Sequence, residues 1–145
     1  MSVGERCSRI MATAWPKESV RVAAQRMTEH DVGTLVIVDP DGSTQALGIL
    51  TDRDIATRCV AGNLDPDRTP VVRVMTKPVH SIDEGASIED AVAKMAIAGT
   101  RRLVVTSRGS AAIGIVSLDD VLDMLTEENA AIGHLLEKQK PHVTV

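Results

Sequence analysis

The sequence predicts a mixed α/β (α+β) protein made of two tandem repeats. Each repeat runs helix, strand, strand, helix after a short lead-in, and the two pack about a pseudo-two-fold axis. Two observations predict this. First, one pattern is written twice. Ser19-Val20, Ala23, Met27 and Leu35 recur 68 positions later as Ser87-Ile88, Ala91, Met95 and Leu103. Gly48-Ile49-Leu50-Thr51-Asp52-Arg53-Asp54 recurs 66 positions later as Gly114-Ile115-Val116-Ser117-Leu118-Asp119-Asp120. The offset falls by two because the second hairpin turn is shorter. Second, within each copy the apolar spacing changes from helical to a short continuous run, which marks helix followed by buried strand. Two units of this length make a packed pair and not a solenoid.

The elements follow in order. Val20, Ala23, Ala24 and Met27 fall on one helical face, and Ser19 is a natural N-cap. Leu35 to Val38 reads as a short buried strand, Pro40-Asp41-Gly42-Ser43 as a turn, and Ala46 to Leu50 as the return strand. A second helix is expected from about Asp52 to Ala61, ended by Gly62. Asn63 to Pro70 is a polar linker with two prolines. Val71 to Met75 then resembles a lead-in turn that mirrors Arg6 to Met11. In the second copy Ser87 caps a stripe of Ile88, Ala91, Val92 and Met95. Leu103 to Thr106 and Ala112 to Val116 form a hairpin around Arg108-Gly109, and the last helix starts near Leu118. The expected division is 6–63 for the first repeat, 71–126 for the second and 127–145 for a helical tail. In that tail Leu125, Ile132, Leu135 and Leu136 keep helical spacing up to Lys140, and Gly133 weakens the helix by roughly 1 kcal/mol. The stripe is suited either to covering its own chain or to meeting a second one.

Composition excludes several classes. Each half is about 60 residues and would be marginal alone. Trp15 is the chain's single aromatic residue, so the core is aliphatic and base-stacking platforms are missing. The net charge of −4, with scattered basic residues, gives no electrostatic footprint for nucleic acid. No apolar run approaches a membrane span, and Met1 to Ile10 has no signal-peptide core, so a cytoplasmic location is expected. Cys7 and Cys59 suit reduced thiols, although residues alone leave a disulfide between them open. His30, His134 and His142 show no ligand spacing, so no metal site is expected. A nucleophile turn, a P-loop and a metal triad are all missing, which argues against an enzyme. Cys59 reads as a small buried hydrophobe near Arg58.

The sharpest motif is Gly-aliphatic-aliphatic-Thr/Ser-x-x-Asp. It describes a strand that turns directly into a helix. The spacing Thr51-x-x-Asp54, and likewise Ser117-x-x-Asp120, is a capping-box variant with Asp in place of Glu. The same turn suits an anion, with Thr51 supplying a hydroxyl, Asp54 a carboxylate for two neighbouring ribose hydroxyls, and Arg53 a phosphate contact. The two roles are compatible.

The order Val74-Met75, Pro78-Val79-His80-Ser81-Ile82, Ser87-Ile88, Met95, Arg101-Arg102-Leu103-Val104-Val105 and Gly114-Ile115-Val116-Ser117-x-x-Asp120 resembles a CBS motif (cystathionine-β-synthase type). The first copy matches through Ile10-Met11, Ser19-Val20, Met27, Leu35 and Gly48 to Asp54. The chain therefore resembles a tandem CBS pair, or Bateman module. Leu50 to Ile55, followed by Ala61 to Pro66, is similar to small actinobacterial CBS-pair proteins of the hypoxic-response type.

The resemblance implies adenine-nucleotide binding between the repeats. A first site would use Leu50, Thr51, Arg53 and Asp54, with Val79 and His80 around the base and Arg101 and Arg102 near phosphate. A weaker second site would use Val116, Ser117 and Asp120, walled by Ala12, Thr13, Gly33 and Thr34. The second has Asp119 where the first has Arg53, which disfavours a polyphosphate there. On residues alone, Arg101 and Arg102 also suit solvated hairpin-edge charges, and His80 a surface strand position. The resemblance further implies a homodimer. The expected function is a regulatory module without a required cofactor that senses an adenine nucleotide and signals to an unidentified protein partner. A nucleotide-independent scaffold is the alternative.

Overall fold

The structure is a computed structural model that describes residues 2–9, 11–108 and 111–139. Two three-stranded sheets face each other. In the first, β1 (Thr13–Ala14) runs parallel to β2 (Thr34–Val38), which pairs antiparallel with β3 (Ala46–Thr51). The second repeats this with β4 (Ser81–Asp83), β5 (Arg102–Ser107) and β6 (Ala111–Ser117). Thr13 pairs with Val36 and Ser81 with Val104, so the registers match at the 68-residue offset. The parallel strands β1 and β4 extend the expected helix–strand–strand–helix pattern. At two and three residues they are too short for alternation to reveal.

The three longer helices stand where the apolar spacing puts them, whereas the helix expected from Asp52 to Ala61 is a single α turn continued by a π turn. Helix α1 spans Val3–Arg6, α2 Val20–His30, α3 Asp52–Asp54, α4 Ile88–Ala98 and α5 Leu118–Gln139. A π-helical turn, Ile55–Val60, continues α3, and a 3₁₀ turn, Val71–Arg73, precedes β4. The Ser19 hydroxyl accepts from the Val22 N–H at 3.2 Å, and the Ser87 hydroxyl from the Asp90 N–H at 3.1 Å. Asp90 also returns a bond to the Ser87 N–H, a full capping box. Both long helices end alike. Asp31 and Gly99 take left-handed φ of 52° and 65°, and the N–H groups of Val32 and Thr100 reach back to the carbonyls of Met27 and Met95.

Gly62 does not take that left-handed role in the first repeat. Asn63 does, at φ 56°, while its N–H meets the Val60 carbonyl and that of Leu64 meets Cys59. Gly62 is needed for a different reason, because a Cβ there would lie 2.4 Å from the Arg58 carbonyl oxygen. The polar linker is not loose. The carbonyls of Pro66 and Thr69 accept from the N–H groups of Arg21 and Val20, which closes the start of α2. In the second hairpin Arg108 has φ 52°, and Gly109 lies outside the described residues, as do Ile10, Lys140 and His142.

Each lead-in packs against the opposite repeat. Val3 and Cys7 sit in one core with Ile82, Ile88, Met95, Leu103 and Val116. Val71, Val74 and Met75 sit in the other with Val20, Met27, Leu35 and Leu50. Ser8 and Ile115 exchange main-chain bonds at 3.0 Å, and Thr76 and Ile49 do so at 2.7 and 3.0 Å. Val3 thus matches Val71, so the first lead-in turn lies three residues before the expected Arg6 to Met11. The reason is physical, since Val3 is fully buried and fixes the register. A third cluster of Val36, Val38, Val104 and Ala112 joins the two sheets. Cys7 and Cys59 are free and belong to separate cores, so they do not pair. Gly133 leaves α5 unbroken, and Leu125 packs on the second core while Ile132, Leu135 and Leu136 are exposed, so the outer part of the stripe does not cover its own chain among the described residues.

Candidate ligand site between the repeats

Thr51 closes β3 and opens α3. Its hydroxyl accepts from the Asp54 N–H at 3.1 Å, and the Asp54 carboxylate accepts from the Thr51 N–H at 3.0 Å. Ser117 and Asp120 form the same reciprocal pair at 3.1 and 2.9 Å. Both motifs are therefore capping boxes. Asp54 is buried, and its two oxygens also accept from the Thr76 hydroxyl at 3.0 and 3.1 Å. The Arg58 guanidinium stands 3.8 Å away. A carboxylate has about four lone-pair directions, so Asp54 is heavily but not completely engaged, and neither Asp54 nor Asp120 lines the cavities beside the turn, because each carboxylate is turned back into its own cap.

Two adjoining cavities open beside this turn. The inner one, about 180 Å³, is lined by Ile49, Thr51, Thr76, Pro78, His80, Thr100 and Arg102. The outer one, about 420 Å³, is lined by Thr51, Asp52, Arg53, Arg101, Arg102, Ser117, Leu118 and Asp119. Thr51 and Arg102 border both. The inner cavity alone is below the roughly 300–1,000 Å³ typical of small-molecule sites, and the pair falls within it. Three guanidinium groups face two carboxylates in the outer recess, which leaves an excess positive charge suited to an anion.

Of the residues expected in the first site, Thr51, His80 and Arg102 line the inner cavity, and Arg53, Arg101 and Arg102 the outer. Leu50 does not offer its side chain, which is fully buried in the first core. Val79 packs against the sheet interface. Sequence reading missed Ile49, Thr76, Pro78 and Thr100. The recurrence of Ile49 as Ile115 within the duplicated motif was the one available signal.

The second set is gathered less completely. Val116 is fully buried in the second core. The strand register makes Met11 and Ala12 the counterparts of Val79 and His80, a shift of one from Ala12 and Thr13. Ala12 and Thr13 instead border a separate recess with Met11, Trp15, Glu18, Arg26 and His30. Gly33 lines a groove with Asp31 and Asp52, and Thr34 opens β2 opposite Thr51. Ser117 and Asp119 border the outer cavity that also holds Arg53, so the charges assigned to two sites share one recess. Among the described residues no group of three or more His, Cys, Asp and Glu side chains is placed to hold a metal ion. No described helix is long and apolar enough to cross a membrane.

The CBS-domain family model matches residues 3–61 and 71–127, the two halves just described. The chain belongs to the CBS-domain family. It is a tandem CBS pair, and CBS domains are generally regulatory, non-catalytic modules. It is 33% identical over 124 residues to the uncharacterized protein MK0525 of Methanopyrus kandleri, covering 86% of this chain and 62% of that protein. It spans 65% of an uncharacterized 17.7 kDa protein of Acidianus ambivalens, and so less than two thirds of either relative. Hypoxic response protein 1 of Mycobacterium tuberculosis is 34% identical over 110 residues, covering 76% of this chain and 75% of that one. The crystal structure of a hypoxic response protein with two coordinated zinc ions superposes with a TM-score of 0.74 at 29% identity, covering 85% and 98% of the two chains. The same fold occurs, below 25% identity, in Pyrobaculum aerophilum PAE2072 complexed with AMP, with a TM-score of 0.74 and 83% and 89% coverage. It also occurs in the CBS pair of MJ0100 with 5′-methylthioadenosine and S-adenosyl-L-methionine, with a TM-score of 0.76 and 88% and 98% coverage.

Proposed function

We propose that this CBS pair is a cytoplasmic, non-enzymatic sensor of an adenine nucleotide of the AMP, ADP or ATP class. It needs no cofactor, works as a homodimer and passes the bound state to a separate protein partner. The observation that carries this reading is the inner cavity opening onto the arginine recess. Thr51, Thr76, His80 and Thr100 offer polar groups beside the apolar Ile49 and Pro78. Arg53, Arg101 and Arg102 stand next door, where a phosphate chain would leave the cavity. The AMP, methylthioadenosine and S-adenosylmethionine complexes of the two fold relatives support an adenosine-bearing ligand. Signalling would require the ligand to prefer one arrangement of the two halves over another.

Calorimetric titration with AMP, ADP, ATP and S-adenosylmethionine tests the reading. Arg102→Ala should weaken ATP by about tenfold, the effect of one lost charge-assisted contact of roughly 1.4 kcal/mol. Adenosine should be affected much less. Silence from every ligand at millimolar concentration would favour a nucleotide-independent scaffold, a role for which the exposed Ile132, Leu135 and Leu136 of α5 are the structural argument.

A further inference from the structure

Duplicated halves should hold matched residues alike, yet after the Thr/Ser-x-x-Asp turn they diverge. At the 66-residue offset Ile55 matches Val121, Arg58 matches Met124 and Cys59 matches Leu125. In the second repeat α5 is regular. Val121 and Met124, three apart, are both buried in its core. In the first repeat the chain widens into the π turn, where the Ala61 N–H reaches back five residues to the Ala56 carbonyl at 3.0 Å. The wider turn brings Cys59 into the core position and carries Arg58 out of it. Single π turns of this kind concentrate at functional sites.

Arg58 then reaches the lead-in that packs on the first repeat. Its Nη1 donates to the Val74 carbonyl at 3.0 Å and the Met75 carbonyl at 2.9 Å, and stands 3.8 Å from Asp54 Oδ1. The next residue, Thr76, donates its hydroxyl to Asp54 and pairs its main chain with Ile49. Guanidinium, carboxylate and hydroxyl therefore close a loop behind the cavity. That loop fixes the segment supplying Thr76, Pro78 and His80 against Ile49 and Thr51.

We propose that Arg58 is a positioning residue that preforms the first ligand cavity. It anchors the Val74–Met75 carbonyls and Asp54, whereas the second repeat, with Met124 in its place, lacks this strut. The inference rests on the nucleotide reading above. A wall already held in its bound position lowers the ordering cost of binding, so Arg58 raises affinity without touching the ligand. The same strut makes the two sites unequal in a way that does not depend on the cavity-lining arginines.

The test is calorimetry with ATP and AMP on the full chain at 10 °C, under conditions where circular dichroism shows each variant folded. Arg58→Met, which copies the second repeat, should bind both nucleotides about tenfold more weakly, a loss within the range of coupling between contacting residues. Arg58→Lys should recover part of that loss, because it keeps the charge but loses the fork. Combining Arg58→Met with Asp54→Asn should cost less than the sum of the two single losses, because both side chains hold the same Val74–Thr76 segment, a result that a general stability effect would not give. An unchanged affinity in folded Arg58→Met, or additive losses in the double variant, overturns the proposal. Should Arg58→Met fail to fold, Arg58→Lys decides, and affinity equal to the parent overturns it. Failure of the unsubstituted chain to bind any nucleotide overturns the nucleotide reading itself and this proposal with it.

Discussion

Asp54 and Asp120 occupy matched positions and carry unequal loads. Each closes a capping box, and removing such a side chain costs about 1 kcal/mol. Asp54 also faces Arg58, while Asp120 has Met124 at the matched position. Asp54→Ala should therefore lower unfolding stability more than Asp120→Ala does, by up to about 1 kcal/mol, the scale of one partly exposed ion pair. Urea unfolding of the two variants checks this, and equal midpoints would contradict the asymmetry. The capping pairs were legible in the sequence because the box depends on a fixed three-residue spacing. Thr76 and Thr100 were not. They reach the cavity through a lead-in and a helix end that long-range packing brings together, and no local pattern marks such residues. Arg58 was hidden for a related reason. Only the change from α to π winding turns it from a core-facing position to a strut.

At the scale of elements, periodicity identified α2 and α4, because each presents an apolar stripe to one core, and continuous apolar runs identified the hairpins, whose inner strands are buried on both faces. The first lead-in was misplaced by three residues, since a four-residue turn has no period to read, whereas the second begins at Val71 as expected. Their real determinant is close approach. Gly114 lies so near the first lead-in that a Cβ would sit 2.4 Å from the Ser8 carbonyl oxygen. Its counterpart Gly48 would meet the Met75 sulfur at 2.5 Å. Backbone cannot yield as a thioether can, so the two glycines are not equivalent in tolerance. Gly114→Ala should push the lead-in off β6 and destabilise the chain by about 2–3 kcal/mol, within the range for overpacking. Gly48→Ala should cost less, because the Met75 side chain can change rotamer. Urea titration of both variants distinguishes them, and a smaller loss for Gly114→Ala would refute the close-approach argument.

Across the whole molecule, two exchanged lead-ins and a shared sheet interface pack the halves together, yet an apolar surface remains uncovered among the described residues. Beyond Met124, the last residue of α5 buried in the core, the helix continues to Gln139. Ile132, Leu135 and Leu136 fall at i, i+3 and i+4 and are each more than half exposed. A one-sided apolar stripe on a projecting helix is unfavourable in water unless something covers it. The sequence showed the stripe but not what it meets, because spacing reports a face and never its partner. The structure removes self-covering, which leaves a second copy of the chain as the simplest cover and agrees with the proposed homodimer. Replacing Ile132→Glu together with Leu136→Glu should leave circular dichroism nearly unchanged, since neither residue belongs to a core cluster, and should make the unfolding midpoint independent of protein concentration. The same double substitution should reduce the mass measured by light scattering from dimer to monomer. A mass unaffected by two buried charges would show that the chains associate through another face, and would leave the stripe to a different protein.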